Sequence, residues 1–166
     1  VQWRTKLPGR AGSTPIIWED QIFLTSVAEN GDDLLLICLN TGGKVKWQQK
    51  LGTGNRNIRG NEGNSASPSP CTDGQHVWAY VSTGDIGCYD FEGNEIWKGN
   101  LEKWYGGFDL FFVMASTPVV DGDRLYLQFI HSNVSLLDKA ADQKRKDERK
   151  SAGMLVALDM MTGNEI

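Results

Sequence analysis

Side chains able to do chemistry are concentrated in two stretches of the sequence. In the first, GTGNRNIRGNEGNSA (Gly52 to Ala66), Arg56, Arg59, Asn61, Glu62 and Asn64 crowd together. A guanidinium anchors an anion, a carboxylate takes a cation or a proton, and an amide both donates and accepts. In the second, EKWYGGFDLFFVM (Glu102 to Met114), Trp104 and Tyr105 offer stacking surfaces beside Asp109. The candidate ligand-binding residues are therefore Arg56, Arg59, Glu62, Asn64, Trp104 and Tyr105, and no catalytic residue is assigned. Their spacing demands no particular ligand, since polar loops of this kind bind water, peptides or glycans. His76 and His131 share no metal-ligand spacing, and Cys38, Cys71 and Cys88 form no Cys-x-x-Cys pair. No metal site is expected, and three cysteines close no disulfide framework.

Composition limits what such loops can serve. Seventeen Lys and Arg stand against 21 Asp and Glu, a net charge of −4, whereas a nucleic-acid or anionic-membrane surface needs a basic excess. A hydrophobic share of 40% suffices for a core. No apolar run approaches the roughly 18 residues of a spanning helix. Six Trp and 19 Gly against five Pro suit a turn-rich β protein.

The elements that position these loops are internal repeats. ICLNTGGKVKW (Ile37 to Trp47), GCYDFEGNEIW (Gly87 to Trp97) and VALDMMTGNEI (Val156 to Ile166) share one pattern. A small residue (Cys38, Cys88, Ala157) stands two before Asn40, Asp90 or Asp159. Gly43, Gly93 or Gly163 follows, then Trp47 or Trp97. The opening VQWRTKLPG matches the tail of the same unit around Trp3. A second element begins at Ser13, Ser69 and Ser116, with Pro15, Pro70 and Pro118 aligned. Each proline precedes a short strand, an acidic turn (Asp73-Gly74, Asp121-Gly122, with Glu19-Asp20 as the variant) and a second strand. Asp-Gly between apolar runs signals a hairpin, because Gly accepts positive φ. Leu125, Leu127 and Phe129 alternate with Arg124 and Gln128, as a half-buried strand requires.

Joined, the two elements make a four-stranded antiparallel unit A–B–C–D that recurs every 40–50 residues or so, the length of a propeller blade. The expected fold is all-β: about three blades of a larger ring of seven or eight. Residues 1–12 end one blade, and 13–52 and 66–101 form two more. Residues 115–166 form a blade lacking its last strand, interrupted by a charged insertion at 133–152. The chain opens on Val1 and stops one residue before an expected Trp, so it reads as an arc of a domain. Strand parity places the A–B and C–D turns on one face. The B–C and D–A connections share the other face, where irregular loops on a rigid scaffold carry binding residues. The insertion, with four acids and six bases between Asp138 and Lys150, is expected as a solvated helix or loop.

The unit resembles the quinoprotein-like, or PQQ-like, β-propeller repeat, with its Ala-x-Asp-x-x-Thr-Gly motif followed by Trp. Ala157, Asp159, Thr162 and Gly163 match it fully; the other two copies are one residue shorter in the turn and carry Cys for Ala. The run Ser116 to Tyr126 is equally typical of the family. The resemblance implies that Trp3, Trp47 and Trp97 dock adjacent blades, with Asp90, Asp159 and Gly163 shaping the turns. Cys38 and Cys88 fill a small buried slot as core thiols.

Function divides along the family. Its dehydrogenases hold pyrroloquinoline quinone with Ca²⁺ at the axis, between a Trp and a disulfide of adjacent cysteines; no adjacent Cys pair occurs here. Its non-catalytic members are bacterial envelope proteins that present loops to partners. The resemblance implies a binding or scaffold module, periplasmic or extracellular, with a protein or carbohydrate ligand at the loop face and no resident cofactor. A quinone-dependent dehydrogenase of alcohols or sugars is the alternative, with the quinone and calcium bound in a full-length parent.

Overall fold

The computed structural model describes residues 2–56, 63–108, 114–132 and 151–166. Three antiparallel sheets follow one another along the chain. Blade one is β1 (Ile16–Trp18), β2 (Gln21–Val27), β3 (Asp33–Asn40) and β4 (Val45–Thr53), hydrogen-bonded in chain order. Blade two repeats the order with β5 (Cys71–Thr72), β6 (His76–Tyr80), β7 (Asp85–Asp90) and β8 (Glu95–Asn100). Blade three has β9 (Val119–Asp121), β10 (Arg124–Ser132) and β11 (Ser151–Asp159). A single bridge from Leu158 to Glu165 stands where a fourth strand would pair. The chain is therefore all-β, with partial-propeller architecture. The short A strands lie innermost: β1 touches β5 and β5 touches β9, whereas the long D strands diverge.

Two details depart from the expected layout. A one-turn helix, α1 (Leu101–Tyr105), replaces the start of the expected loop at 102–114. Asn100 caps it by accepting from Lys103 N, and Gly106 ends it at φ 93°. β11 begins at Ser151, inside the expected insertion at 133–152; the rest of that insertion lies outside the described residues.

Turn chemistry explains the regular sheets. The Asn40 and Asp90 side chains accept the backbone N–H four residues on, from Lys44 at 2.9 Å and Asn94 at 2.7 Å. Asp159 closes a turn one residue longer, accepting from Met161 N and Thr162 N, and its own N–H reaches Asn164 O. In the A–B turns, Gly74 and Gly122 take positive φ, and Glu19 takes φ 49° in the variant copy. Such caps satisfy backbone donors that a tight turn leaves unpaired.

The core lies between blades. Phe23, Val27, Leu34, Leu36, Cys38 and Leu51 of blade one pack on Val77, Ala79, Val81 and Tyr89 of blade two. The opposite face of blade two, with Trp78, Tyr80, Ile86, Cys88 and Trp97, packs on Leu125, Leu127, Phe129, Val156 and Leu158 of blade three. β6 is consequently buried on both faces, whereas β10 keeps Gln128 exposed between buried Leu127 and Phe129.

All three cysteines are free, with Cys38 and Cys88 fully buried. Cys71 and Cys88 both pair with Trp78, from opposite sides of β6. They stand two strand spacings apart, roughly 9–10 Å, beyond the reach of a disulfide. Burial pushes the thiols up, Cys38 to about 11 and Cys71 and Cys88 to about 12. The native state thus keeps protons that the unfolded chain releases above roughly pH 8.5. Stability from this source is complete below that pH and is lost as pH rises toward the folded values. A denaturation midpoint that falls between about pH 9 and 11, with slow thiol labelling of native protein at neutral pH, is the expected result. Rapid labelling of Cys38 and Cys88 without unfolding would contradict it.

Candidate functional site

Hydrogen bonds between turns identify the two faces of the sheet stack. On one, Thr41 N donates to Asp20 O and Met160 N to Asp123 O, tying C–D turns to A–B turns. On the other, Gly54 N and Asn55 N donate to Asp32 O, and Leu101 N donates to Gly84 O, tying D–A connections to B–C turns. The candidate residues belong to connections of this second face.

Arg56 and Asn64 meet at the neck of the first D–A connection. Arg56 N donates to Ser65 Oγ at 3.0 Å, and Ser65 N donates to Asn55 Oδ1 at 3.2 Å. The Arg56 residue is exposed there. Asn64 is buried, 4% exposed, and its Oδ1 accepts from Ala66 N at 2.9 Å in an Asx turn. Its carbonyl accepts from Ser67 Oγ at 2.7 Å. Asn64 thereby shapes the chain through its Oδ1 and its carbonyl. Arg59 and Glu62 lie outside the described residues.

Trp104 and Tyr105 are brought together elsewhere, on the outer seam between blades two and three. α1 lays the Trp104 ring over Gly99 of the outer strand β8, leaving 45% of the residue exposed. Tyr105 Oη donates to Glu165 Oε2 at 2.9 Å, and its ring packs on Phe129 at 5.4 Å. Burial, then the Glu165 carboxylate, pushes the Tyr105 hydroxyl up to about 12. Trp104 therefore lies over the outermost strand of blade two, whereas Tyr105 sits between Phe129 of β10 and Glu165. The described candidates form two separate groups.

The residues at the blade seams are mutually consistent. Trp3 Nε1 donates to Thr41 O at 2.9 Å, Trp47 Nε1 to Phe91 O at 2.9 Å and Trp97 Nε1 to Met160 O at 2.8 Å. Each indole lies against a left-handed glycine of the next turn, Gly43, Gly93 or Gly163, where any Cβ would collide with the ring. A second bond accompanies the first two, from Thr5 Oγ1 to Gly43 O and from Gln49 Nε2 to Gly93 O. The third seam has Gly99 at that place, and the Tyr105–Glu165 bond spans the same gap. Near Asp90, burial raises the carboxyl but Asn94 and turn N–H groups outweigh it; hydrogen bonds from Thr162 lower Asp159.

Sequence reasoning passed over three further residues that tie blades together. Trp78 Nε1 donates to the same Met160 O at 2.8 Å, and Thr25 and Tyr80 hold the connections that lead into the following blade. Thr25 Oγ1 donates to Ala66 O and Pro68 O, and Tyr80 Oη to Ser116 O at 2.7 Å. Thr25 and Tyr80 occupy the same register, two residues beyond Phe23 and Trp78, which pair with Cys38 and Cys88. A polar group inside an otherwise apolar strand was the available signal, because buried hydroxyls need partners.

Residues 1–127 match the family model described as outer membrane protein assembly factor BamB. No curated protein matches the chain at a significant level. Among solved structures, quinohemoprotein alcohol dehydrogenase from Comamonas testosteroni superimposes with TM-score 0.61 at 14% identity, over 99% of this chain and 22% of that one. BamB from Moraxella catarrhalis superimposes with TM-score 0.54 at 13% identity, over 99% of this chain and 39% of that one. A europium-containing methanol dehydrogenase gives TM-score 0.53 at 14% identity, over 92% and 23%. The chain thus spans well under half the length of each of these proteins. At such identities the likeness is one of fold.

Proposed function

Because this chain belongs to the family of the outer membrane protein assembly factor BamB, we propose that it is part of a non-catalytic binding or scaffold module of a bacterial cell envelope, periplasmic or extracellular. Its loop face meets a protein partner, with Arg56 exposed at the neck of the first connection and Arg59 and Glu62 in the same loop. The observation that carries this reading is where the polar groups of that face go. Asn64, Ser65, Asn55 and Ser82 are engaged in bonds that lash the connections to themselves and to the B–C turn at Ser82. Such a face presents a rigid outline, as partner recognition requires. No helix among the described residues is long and apolar enough to cross a membrane.

The fold likeness to quinoprotein alcohol dehydrogenases supports a second reading, a dehydrogenase of alcohols or sugars using pyrroloquinoline quinone with Ca²⁺. The described residues support it less: Asn64 Oδ1 closes its own turn, Trp104 lies over the outer strand β8, and Tyr105 is bonded to Glu165 at the blade seam. Among the described residues no three His, Cys, Asp or Glu side chains converge as a metal would need. The deciding experiment adds quinone and Ca²⁺ to the full-length protein that contains this chain and follows absorbance together with dye reduction by glucose or alcohols. Neither stoichiometric binding nor turnover is expected, and observing both would overturn the scaffold reading.

A further inference from the structure

The two D–A connections are tied to each other through one residue in the B–C turn of blade two, Ser82. Its backbone N–H donates back to Ser65 O at 2.8 Å, in the stem of the first connection. Its Oγ donates forward to Met114 O at 3.0 Å and accepts from Met114 N at 3.0 Å, in the stem of the second. Behind Ser65 the series of bonds continues. Ser65 Oγ accepts from Arg56 N at 3.0 Å and Ser65 N donates to Asn55 Oδ1 at 3.2 Å. Asn55 N in turn donates to Asp32 O at 3.1 Å, in the B–C turn of blade one. An unbroken series of contacts thus runs from blade one to the entry of blade three, with Ser82 where its two halves meet. Met114 is 2% exposed, so without the Ser82 hydroxyl its backbone N–H and C=O each lose a bond that water does not readily replace.

Blade one shows that the forward link from Ser82 is an addition and not a requirement of the fold. Val27 stands at the register of Ser82, as far beyond Phe23 as Ser82 is beyond Trp78. Val27 N makes the backward bond, to Arg10 O at 2.9 Å, but its side chain has no hydroxyl to reach forward. The forward ties that both blades share are those of Thr25 and Tyr80. Ser82 has blade one on one side and blade three on the other, and every bond in the series joins described residues. Local opening follows cooperative units, and a residue that closes two segments at once makes them one unit. We propose that Ser82 couples the two connections, so that their stems open and close together and a partner that orders one finds the other already ordered. Such coupling is reciprocal: what loosens the first stem loosens the second, and the reverse. It does not depend on what the loop face binds, so it stands or falls apart from the scaffold reading.

Hydrogen exchange of single amides in the full-length protein that contains this chain tests the coupling. The probes are Arg56 N–H and Met114 N–H. Asn94 N–H, bonded to Asp90 Oδ1 in a C–D turn of the opposite face, is the reference. Ser82→Val copies the blade-one residue, keeps the backbone bond to Ser65 and removes both hydroxyl bonds. It should speed Met114 exchange roughly tenfold and, through the coupling, Arg56 exchange roughly threefold, although the bond from Arg56 to Ser65 is untouched. Ser65→Ala should do the converse, speeding Arg56 directly and Met114 by roughly threefold at a distance. Ser82→Thr keeps a hydroxyl and should exchange close to the parent rate at both probes. Asn94 should not change in any variant. Ser82→Val speeding Met114 alone, or Ser65→Ala speeding Arg56 alone, would overturn the proposal by showing two independent stems. An equal rise at Asn94 would overturn it too, because general loosening would then account for the effect.

Discussion

Replacing Trp78 by alanine is expected to destabilise the chain by about 3–5 kcal/mol, the range for truncating a large buried aromatic. Trp78 is fully buried and sits in the cluster that joins blade two to Leu125, Leu127 and Phe129 of blade three. It is also the middle of the row Cys71–Trp78–Cys88 across β5, β6 and β7, so its loss leaves a void inside one sheet as well as between two. Against a typical net stability of about 5–15 kcal/mol, that is a large fraction. Trp78→Phe should cost much less, about 1–2 kcal/mol. Most of the ring volume stays, and Met160 O keeps its bond from Trp97 Nε1 when the one from Trp78 is gone. Trp104→Ala, on a residue 45% exposed, should change stability least of the three. Urea unfolding with an unchanged m-value reads these differences as shifts in midpoint. A Trp78→Ala midpoint within about 1 kcal/mol of the parent would mean that the two blades do not share a continuous core.

The contrast between Trp78 and the seam tryptophans shows what the sequence makes visible. A blade is a repeated unit, so residues that serve the joint between units recur in register: Pro15, Pro70 and Pro118, Gly43, Gly93 and Gly163, Trp3, Trp47 and Trp97. Even the extra residue in the Asp159 turn was countable, and it appears as the longer reach from Asp159 N to Asn164 O. Trp78 stands where blade one has Phe23 and blade three has Tyr126, so no identity marks it. The helix α1 escaped notice for a related reason: five residues carry too little periodicity, and only the Asn100 cap could have signalled it.

The candidate site was less legible than the fold. Residue type and loop length were enough to locate polar groups on a face, but the direction a connection takes is set by distant partners. Trp104 is drawn over Gly99 and Tyr105 to Glu165, which lies 60 residues from it. Asn64 is drawn inward by its own backbone, a local preference of Asn in turns that competes with any ligand role. The seam positions escaped this ambiguity because their partners are themselves repeated.

The glycine half of the seam can be tested more sharply than the indole half. Gly93→Ala is expected to cost about 2–4 kcal/mol, far more than an ordinary surface substitution. Gly93 has φ 88°, which costs an L-residue roughly 1–2 kcal/mol. An added Cβ would in addition stand 2.8 Å from Trp47 Cδ2 and 3.0 Å from Cγ. The ring cannot retreat freely, because Trp47 Nε1 is bonded to Phe91 O and the ring is tilted against Phe23 and Tyr89. Gly31 supplies the control, with φ 76° and nothing within 4 Å of an added Cβ. Gly31→Ala should therefore show the conformational part alone, about 1 kcal/mol. The excess at Gly93 belongs to the contact with Trp47, and a double-mutant cycle isolates it. In a Trp47→Leu background, the added methyl meets a smaller side chain, so Gly93→Ala should fall back toward the Gly31 value. If the two changes were strictly additive, the glycine would be conserving only its backbone angle, and the indole would dock without needing a flat surface beneath it.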